Sequence, residues 1–396
     1  MTMNARDFAE RALVGSLLRT PAAVEKLGWL QDDDFHSPML TTLYGTVQRM
    51  VAETRAAGQD VAAAVTPITV FERVQRDEPR AVQDGPAGIN APTLHTLMQT
   101  APVNADPVAY GVMVLESSIR RQVAETGYRV GQHIQQAGDL AAVLESVERA
   151  LQQVAHAQAR WDASRLGSGI ASTRLDGAPD QISDLVNRAG RDLSLLIEPK
   201  PSAEQVADAE HDVINAVLAN ATVLNDLGDR LRPEDFHDRS AGNTYRAAVE
   251  LHSRNAHVDP VTVSWELQRT SAQHGAGLAP DQLNMLQQQT ATSVNYTAEI
   301  VMRGALARLT EQAAVTVRNA AQHPGLQPVD VLATTRMAYE AVRETASRMG
   351  AAARLASIAS PVPIARALDG ATGDRDTELE SVTAHPGRRL DHAPER

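Results

Sequence analysis

The chain contains no cysteine and few aromatic residues. Without cysteine it can form neither disulfides nor thiolate sites, which is typical of a cytoplasmic protein. Aromatic residues make up 3% of the 396 residues, whereas hydrophobic residues of all types make up 43%. A core of that size must be built mainly from Ala, Leu, Val and Ile, and such a core suits packed helices better than sheets.

Lysine is also scarce, and the net charge is negative. Lys26 and Lys200 are the only lysines, and the formal net charge at pH 7 is −12. A protein that holds nucleic acid by its phosphates normally presents a basic face, so autonomous DNA binding is the weaker interpretation. The sequence also shows neither an apolar signal region at its N-terminus nor a run of about 18 apolar residues. We therefore expect a cytoplasmic protein that does not enter membranes.

A phosphate-binding loop is missing as well. ATPase motors need Gly-x-x-x-x-Gly-Lys-Ser/Thr, in which backbone N–H groups and one lysine hold the phosphates. Lys26 follows Glu25 within a helical pattern, and Lys200 lies between Pro199 and Pro201. The sequence shows no alternation of strand and helix patterns, which a parallel sheet would require. The sequence therefore predicts a protein that is not an enzyme, with no cofactor, no catalytic residues and no metal site.

What the sequence does contain is an internal repeat at an offset of about 200 residues. The matched segments, in chain order, are Ala9-Glu10 with Ala209-Glu210, Asp34-Phe35-His36 with Asp235-Phe236-His237, Pro67-Ile68-Thr69-Val70 with Pro260-Val261-Thr262-Val263, and Val112-Met113 with Val301-Met302. Because the matches keep the same order, they predict two diverged copies of one helical module.

Each copy is predicted to end in a helical hairpin. In the first copy one arm runs to about residue 136, Gly138 breaks it, and a second arm continues to Trp161. On the second arm apolar residues alternate at spacings of 4 and 3, the pattern of a packing seam. The candidate interaction seam comprises Leu140, Leu144, Val147, Leu151 and Val154 in the first copy and Val331, Leu332, Tyr339 and Val342 in the second.

The predicted fold class is therefore all-α, with two tandem modules that are each a small helical globule plus a long helical hairpin. The predicted segments are a first copy at 5–161, a linker at 162–201, a second copy at 202–349 and a tail at 350–396. Gly167-Ser168-Gly169 and Pro199-Lys200-Pro201 mark the linker, in which residues after Asp180 could form a short helix. The tail is rich in Pro, Gly and charges of both signs, and we expect it to be disordered.

Taken in order, these motifs resemble a known family. A Leu-Val-Gly-Ser-Leu-Leu stretch at 13–18 precedes the Asp-Phe-His turn and the Pro-Ile-Thr-Val segment, and Thr-Ala-Pro-Val-Asn at 100–104 precedes a long helix with Arg120 and Arg121. This order is similar to the N-terminal domain of DnaB-type replicative helicases. The resemblance implies a helical globule with a hairpin, hairpins that pair between subunits, and a collar on which primase or loader proteins dock. It carries over no catalytic residue, because that family's catalysis belongs to a RecA-like motor domain.

Three sets of residues admit both a functional and a structural interpretation. Asp32-Asp33-Asp34 with His36 could suggest a metal site, but a loop and helix cap is favoured because adjacent carboxylates seldom converge on one ion. Phe35 and Phe236 could be docking anchors, but core residues that hold the turn onto the helices are favoured. The candidate basic contacts, to nucleic acid or to an acidic partner, are Arg120, Arg121 and Arg129. For these arginines a solvated hairpin face is the favoured interpretation.

The predicted function is a non-catalytic protein-interaction module of bacterial DNA replication. The expected partners are the replicative helicase, primase, a loader protein or a second copy of the chain. Two alternatives stay open, a motor-less helicase paralogue that competes with the true helicase and a nucleic-acid-binding regulator. The net charge of −12 counts against the regulator. We also predict that the two copies pair through their hairpins within one chain.

Overall fold

A computed structural model describes residues 5–82, 88–136, 140–166, 200–228, 230–287 and 293–359 of the chain. Within these ranges every regular element is a helix, so the all-α prediction is confirmed. No helix in the described ranges is both long enough and apolar enough to cross a lipid bilayer. Residues 5–166 are called the first half below, and residues 200–359 are called the second half.

The two halves follow a similar order of helices. The first half contains α1 (Ala5–Arg19), α2 (Pro38–Ala56), α3 (Val61–Ala64), α4 (Pro67–Asp77), α5 (Ala91–Thr100), α6 (Pro107–Gln136) and α7 (Leu140–Leu166). The second half contains α8 (Ala203–Ala219), α9 (Val223–Leu227), α10 (Arg239–Ser253), α11 (Pro260–His274), α12 (Pro280–Gln287), α13 (Val294–Gln322) and α14 (Pro328–Ala359). Each half therefore ends in two long helices.

Local capping residues determine where several helices begin. Before α4, the Thr66 hydroxyl accepts from the Thr69 N–H at 3.3 Å, and the Thr66 N–H donates to the Thr69 hydroxyl at 2.8 Å. Before α8, the Gln205 N–H donates to the Ser202 hydroxyl at 3.1 Å, while the Ser202 N–H donates to the Gln205 side chain at 2.8 Å. These reciprocal bonds satisfy N–H groups that a helix start leaves without an intrahelical partner.

One aromatic pair lies in the core of each half. Phe35 and Tyr44 pack with ring centroids 4.9 Å apart, and Phe236 and Tyr245 pack at 5.1 Å. All four side chains are buried. Phe35 and Phe236 therefore attach the turn that precedes α2 or α10 to the core, and the docking-anchor interpretation of these residues is wrong.

The long helices connect the halves. In the first half α1 packs on α5 and α6, in the second half α8 packs on α13, and α6 packs directly on α13. The described residues of both halves up to Ala356 belong to one compact unit. The four longest described helices, α6, α7, α13 and α14, all contribute buried residues to one hydrophobic core.

The buried faces of α6 and α13 correct one match of the internal repeat. Val301 and Met302 are buried on α13, whereas Met113 is 51% exposed on α6. The buried residues that correspond to them are Val114 and Leu115, so the offset along these helices is 187 and the predicted match with Val112-Met113 is wrong. The apolar type alone was ambiguous here because α6 carries four apolar residues in a row at 112–115.

The long helices extend beyond the predicted boundaries. α7 continues past Trp161 to Leu166, and α14 continues past Met349 to Ala359. The buried side chains of Trp161 and Ser164 belong to this last part of α7. The short helix predicted within the linker, and the tail after residue 359, lie outside the described residues. The division into two domains stays a prediction.

Candidate interaction surfaces

The predicted seam of the first half lies on α7, but its centre is shifted. Val147 and Val154 are buried as the spacing predicts, and Leu144 is 7% exposed. Leu151 is only half-buried, and the Leu140 side chain lies outside the described residues. The most deeply buried positions of α7 form a stripe that comprises Val143, Val147, Ala150, Val154 and Ala157. The whole stripe belongs to the hydrophobic core, where side chains as small as Ala and Val allow close packing.

The predicted seam of the second half is buried along its whole described length. Val331, Leu332, Tyr339 and Val342 on α14 all have negligible solvent exposure. Burial raises the pKa of the Tyr339 phenol to about 12, and Thr126 of α6 lies beside its hydroxyl group. The second arm of the second half therefore contacts the first arm of the first half.

The contact between α6 and α13 is close at one point. A Cβ atom on Gly127 would lie 2.7 Å from Arg318 Cγ and 3.1 Å from the carbonyl oxygen of Ala314. One turn further, a Cβ atom on Gly131 would lie 3.7 Å from Ala314 Cβ. The guanidinium carbon of Arg318 lies 5.1 Å from the ring centroid of Tyr128, which is the geometry of a cation–π contact. None of these residues belongs to the predicted seam or to the candidate basic contacts.

Arg120 is not a solvated residue, because it binds the end of the opposite helix. Its guanidinium donates to the carbonyl oxygens of Ala321, His323 and Leu326, where α13 ends, with a distance of 3.0 Å to His323. An ion pair of 3.1 Å with Glu116 holds the same group. These acceptors are carbonyls that a helix C-terminus leaves without an intrahelical donor, so Arg120 of the first half caps a helix of the second.

The other two candidate arginines divide between the inside and the surface. Arg121 donates to the carbonyl oxygens of Asp33 and Asp34 at 2.9 and 3.0 Å, and Arg308 makes the same contact with Asp235 at 2.7 Å. Arg129 is half-exposed and pairs with Glu125 at 2.6 Å. Of the three candidates, only Arg129 keeps the solvated position that the sequence favoured.

A buried ion pair attaches the last helix of each half to its turn. Arg160 of α7 pairs with Asp34, and Arg348 of α14 pairs with Asp235 at 2.6 Å. Burial raises the pKa of the Asp34 carboxyl, and the charge of Arg160 opposes that shift. Asp34 also accepts the Gln31 N–H at 2.8 Å, so the contacts of this carboxylate with Arg160 and Gln31 both hold the turn in place. The described residues contain no cluster of His, Cys, Asp and Glu that could hold a metal.

A buried glutamate supports the same turn from the other side. Glu10 accepts from the backbone N–H groups of His36 and Ser37, at 3.0 and 3.4 Å. Glu210 accepts from the N–H groups of His237 and Asp238, the latter at 3.0 Å. Burial raises the pKa of the Glu210 carboxyl, while these two N–H groups lower it. In each half, therefore, the glutamate of the Ala-Glu motif binds the backbone of the turn that contains the Asp-Phe-His motif.

An open apolar groove of about 710 Å³ lies on the surface of the second half. It is lined by residues of α10, α11, α12 and the loop between α11 and α12, including Leu251, Leu267 and Leu278. Trp265 and Val261 border it and are 71% and 75% exposed. At the corresponding positions of the first half, 193 residues earlier, the sequence has Glu72 and Ile68. The tryptophan is therefore a feature of one half only.

Comparison with known proteins identifies the class of domain. Residues 202–303 match the family described as the DnaB-like helicase N terminal domain. The chain is 33% identical over 110 residues to the replicative DNA helicase DnaB of Mycobacterium leprae (strain TN), and 32% identical over 111 residues to that of Rhodothermus marinus. These matches cover 28% and 27% of this chain, and they span only 18% and 12% of the length of the two relatives.

A solved structure is also similar. The crystal structure of the N-terminal domain of DnaB helicase from Mycobacterium tuberculosis shares 27% identity, covers 36% of this chain and 99% of its own, and aligns with a TM-score of 0.31. The family match shows a DnaB-type helicase N-terminal domain at residues 202–303, and the two sequence relatives agree with it. The residues that match the family, 202–303, lie in the second half.

Proposed function

We propose that the protein is a non-catalytic interaction protein of DNA replication, in which both halves are DnaB-type N-terminal domains. The family match on residues 202–303 supports this for the second half. For the first half the support is the repeated turn contact, in which Glu10 and Asp34 hold their turn as Glu210 and Asp235 hold theirs. The module would contact a replicative helicase, primase or loader through surfaces similar to those of the helicase collar.

The observation that carries this proposal is the direct packing of α6 on α13. One long helix of each half lies against the other, and a paired collar-type unit would have such a contact. The sequence contains no lysine in a phosphate-binding loop, and this supports a role in binding and not in ATP-driven unwinding. A protein of this kind would add to, or compete with, the collar of a true helicase.

Mixing with purified replication proteins tests the proposal. The protein should co-elute with the replicative helicase, primase or loader in size-exclusion chromatography with light scattering. A helicase that lacks its own N-terminal domain is the matched control and should bind less if collar surfaces make the contact. Failure to bind any of the three proteins would reject the proposal. An unwinding assay of the same mixtures then distinguishes an accessory, which leaves unwinding intact, from a competitor, which lowers it.

Direct nucleic-acid binding is the less favoured function. Arg120 and Arg121 are occupied by backbone carbonyls inside the protein, so they are not available to phosphates. Arg129 pairs with Glu125 on the surface. Binding of DNA that weakens steeply with added salt would nevertheless support this alternative.

A further inference from the structure

The contact between α6 and α13 is asymmetric at its closest point. Applying the offset of 187, Gly127 corresponds to Ala314, Tyr128 to Val315 and Gly131 to Arg318. The contact of Gly127 with Arg318 is therefore related to the contact of Gly131 with Ala314 by exchange of the two halves. One member of this related pair joins a large side chain to a glycine, and the other joins two small residues.

Arg318 can occupy its position only because residue 127 has no side chain. A Cβ atom there would lie 2.7 Å from Arg318 Cγ, closer than carbon atoms pack. Moving the arginine side chain alone would not make room for this Cβ atom. The atom would also meet the backbone, at 3.1 Å from the oxygen of Ala314 and 3.4 Å from the nitrogen of Arg318. The missing side chain at Gly127 thus leaves the space that Arg318 occupies.

We propose that this surface is specific for the opposite half, so that the first half pairs with the second and neither half pairs with a copy of itself. If two second halves met in the same geometry, Arg318 of each would face Ala314, whose Cβ occupies the space that Gly127 leaves open. If two first halves met, Gly131 would face Gly127, and neither residue would supply a side chain to fill the gap. The partner of each face is therefore the other half of the same chain.

Two polar contacts favour the same pairing. Arg318 lies over the ring of Tyr128, and Val315 occupies the corresponding position of the second half. Arg120 caps the end of α13, whereas its counterpart Ala307 has no group that could cap α6. Pairing of like halves would lose the cation–π contact, and pairing of two second halves would also lose the cap. This specificity does not depend on which protein the chain binds.

An engineered disulfide in the full chain tests which halves meet. The chain has no cysteine, and an ideal Cβ on Gly131 lies 3.7 Å from Ala314 Cβ, within the range of about 3.5–4.5 Å that disulfides adopt. Mild oxidation of the Gly131→Cys/Ala314→Cys variant should give a monomer with altered electrophoretic mobility. The two single-cysteine variants should give neither this species nor covalent dimers. Covalent dimers of the double variant, or no disulfide at all, would contradict pairing within one chain.

Exchanging the two faces tests the specificity itself. The half exchange, Gly127→Ala with Tyr128→Val and Gly131→Arg, makes α6 resemble α13, and it should lower the melting temperature by on the order of 5 °C through overpacking. The full exchange adds Ala314→Gly, Val315→Tyr and Arg318→Gly, and it should recover most of that loss. Both glycines move from one helix to the other, so their number in the two helices stays constant. A half exchange as stable as the parent, or a full exchange no more stable than the half exchange, would overturn the proposal.

Discussion

The two halves of the molecule fix the turn before α2 or α10 through the same kinds of contact, but their surfaces differ. In each half a buried glutamate, an aspartate–arginine ion pair and a phenylalanine–tyrosine contact fix the same turn to the helices. By contrast, the residues at the α6–α13 contact and along the apolar groove differ from one half to the other. The comparison indicates that the two halves share the contacts that fix this turn and differ in the residues at the α6–α13 contact and the groove.

The largest effect should come from breaking the buried ion pair in one half at a time. Arg160→Met leaves Asp34 without a countercharge in a fully buried position, and we expect a loss of about 3–5 kcal/mol in the free energy of unfolding. Arg348→Met should cost less, because the Asp235 and Arg348 side chains are 6% and 12% exposed and keep some contact with water. Urea unfolding of the two variants measures the difference.

A double variant separates the countercharge from the packing of the arginine. Arg160→Met combined with Asp34→Asn removes the buried charge but keeps an acceptor for the Gln31 N–H, so it should be more stable than Arg160→Met alone. Equal losses of stability for Arg160→Met and Arg348→Met would mean that burial does not control the cost of breaking the ion pair.

The next largest effect is expected at Val147, which lies in the buried stripe of α7 and corresponds to Thr335 of α14. Both residues are fully buried. Val147→Thr should cost about 1–2 kcal/mol, because it places a hydroxyl group in an apolar position. Thr335→Val should be nearly neutral, since the Thr335 hydroxyl only donates back to the Val331 carbonyl at 2.7 Å. Thermal unfolding of the two single variants compares them, and a large loss for Thr335→Val would show that this hydroxyl group is essential.

Local signals predicted the helices well, whereas contacts between distant residues could not be predicted. The start of α8 follows from Ser202 and Gln205, which are three residues apart and whose capping geometry is independent of the rest of the chain. The pair of Arg160 with Asp34 joins residues 126 positions apart. Its only sequence signal is that an arginine recurs near the end of each half, at positions 160 and 348.

The seam shows what spacing alone does not determine. The prediction followed apolar residues at spacings of 4 and 3 and therefore included Leu151, which lies at the edge of the core. The structure centres the stripe on Ala150 and Ala157 as well as on valines, because helices that pack closely need small side chains between them. Which of two adjacent stripes faces inward depends on the neighbouring helix, and periodicity carries no information about that neighbour.

A smaller effect is expected from the pH dependence of the second half. Burial raises the pKa of Glu210 above its usual value of 4.5, so the folded state binds this proton more tightly than the unfolded state does. The resulting stabilisation is fully present below pH 4.5 and is lost as the pH rises through the raised pKa. Glu210→Gln cannot titrate, so the stability of the parent relative to this variant should fall as the pH rises through that window. A constant difference between the two proteins in urea unfolding, measured at several pH values, would contradict the shift.

The smallest effect on stability is expected at the groove, where the second half carries Trp265 and the first half carries Glu72. Trp265 is 71% exposed, so replacing it with the glutamate that the first half carries at residue 72 removes little buried surface. Trp265→Glu should change the free energy of unfolding by less than about 1 kcal/mol, as is usual for exposed positions. The reciprocal change Glu72→Trp is the matched control, and it should also be nearly neutral because Glu72 is exposed. Chemical unfolding of both variants tests this.

A loss of more than about 2 kcal/mol for Trp265→Glu alone would mean that the tryptophan covers Leu267 and Leu278 and belongs to the core of the second half. If both changes are neutral, this surface can be altered without unfolding the protein, and Trp265→Glu can then be used in the binding assays with replication proteins.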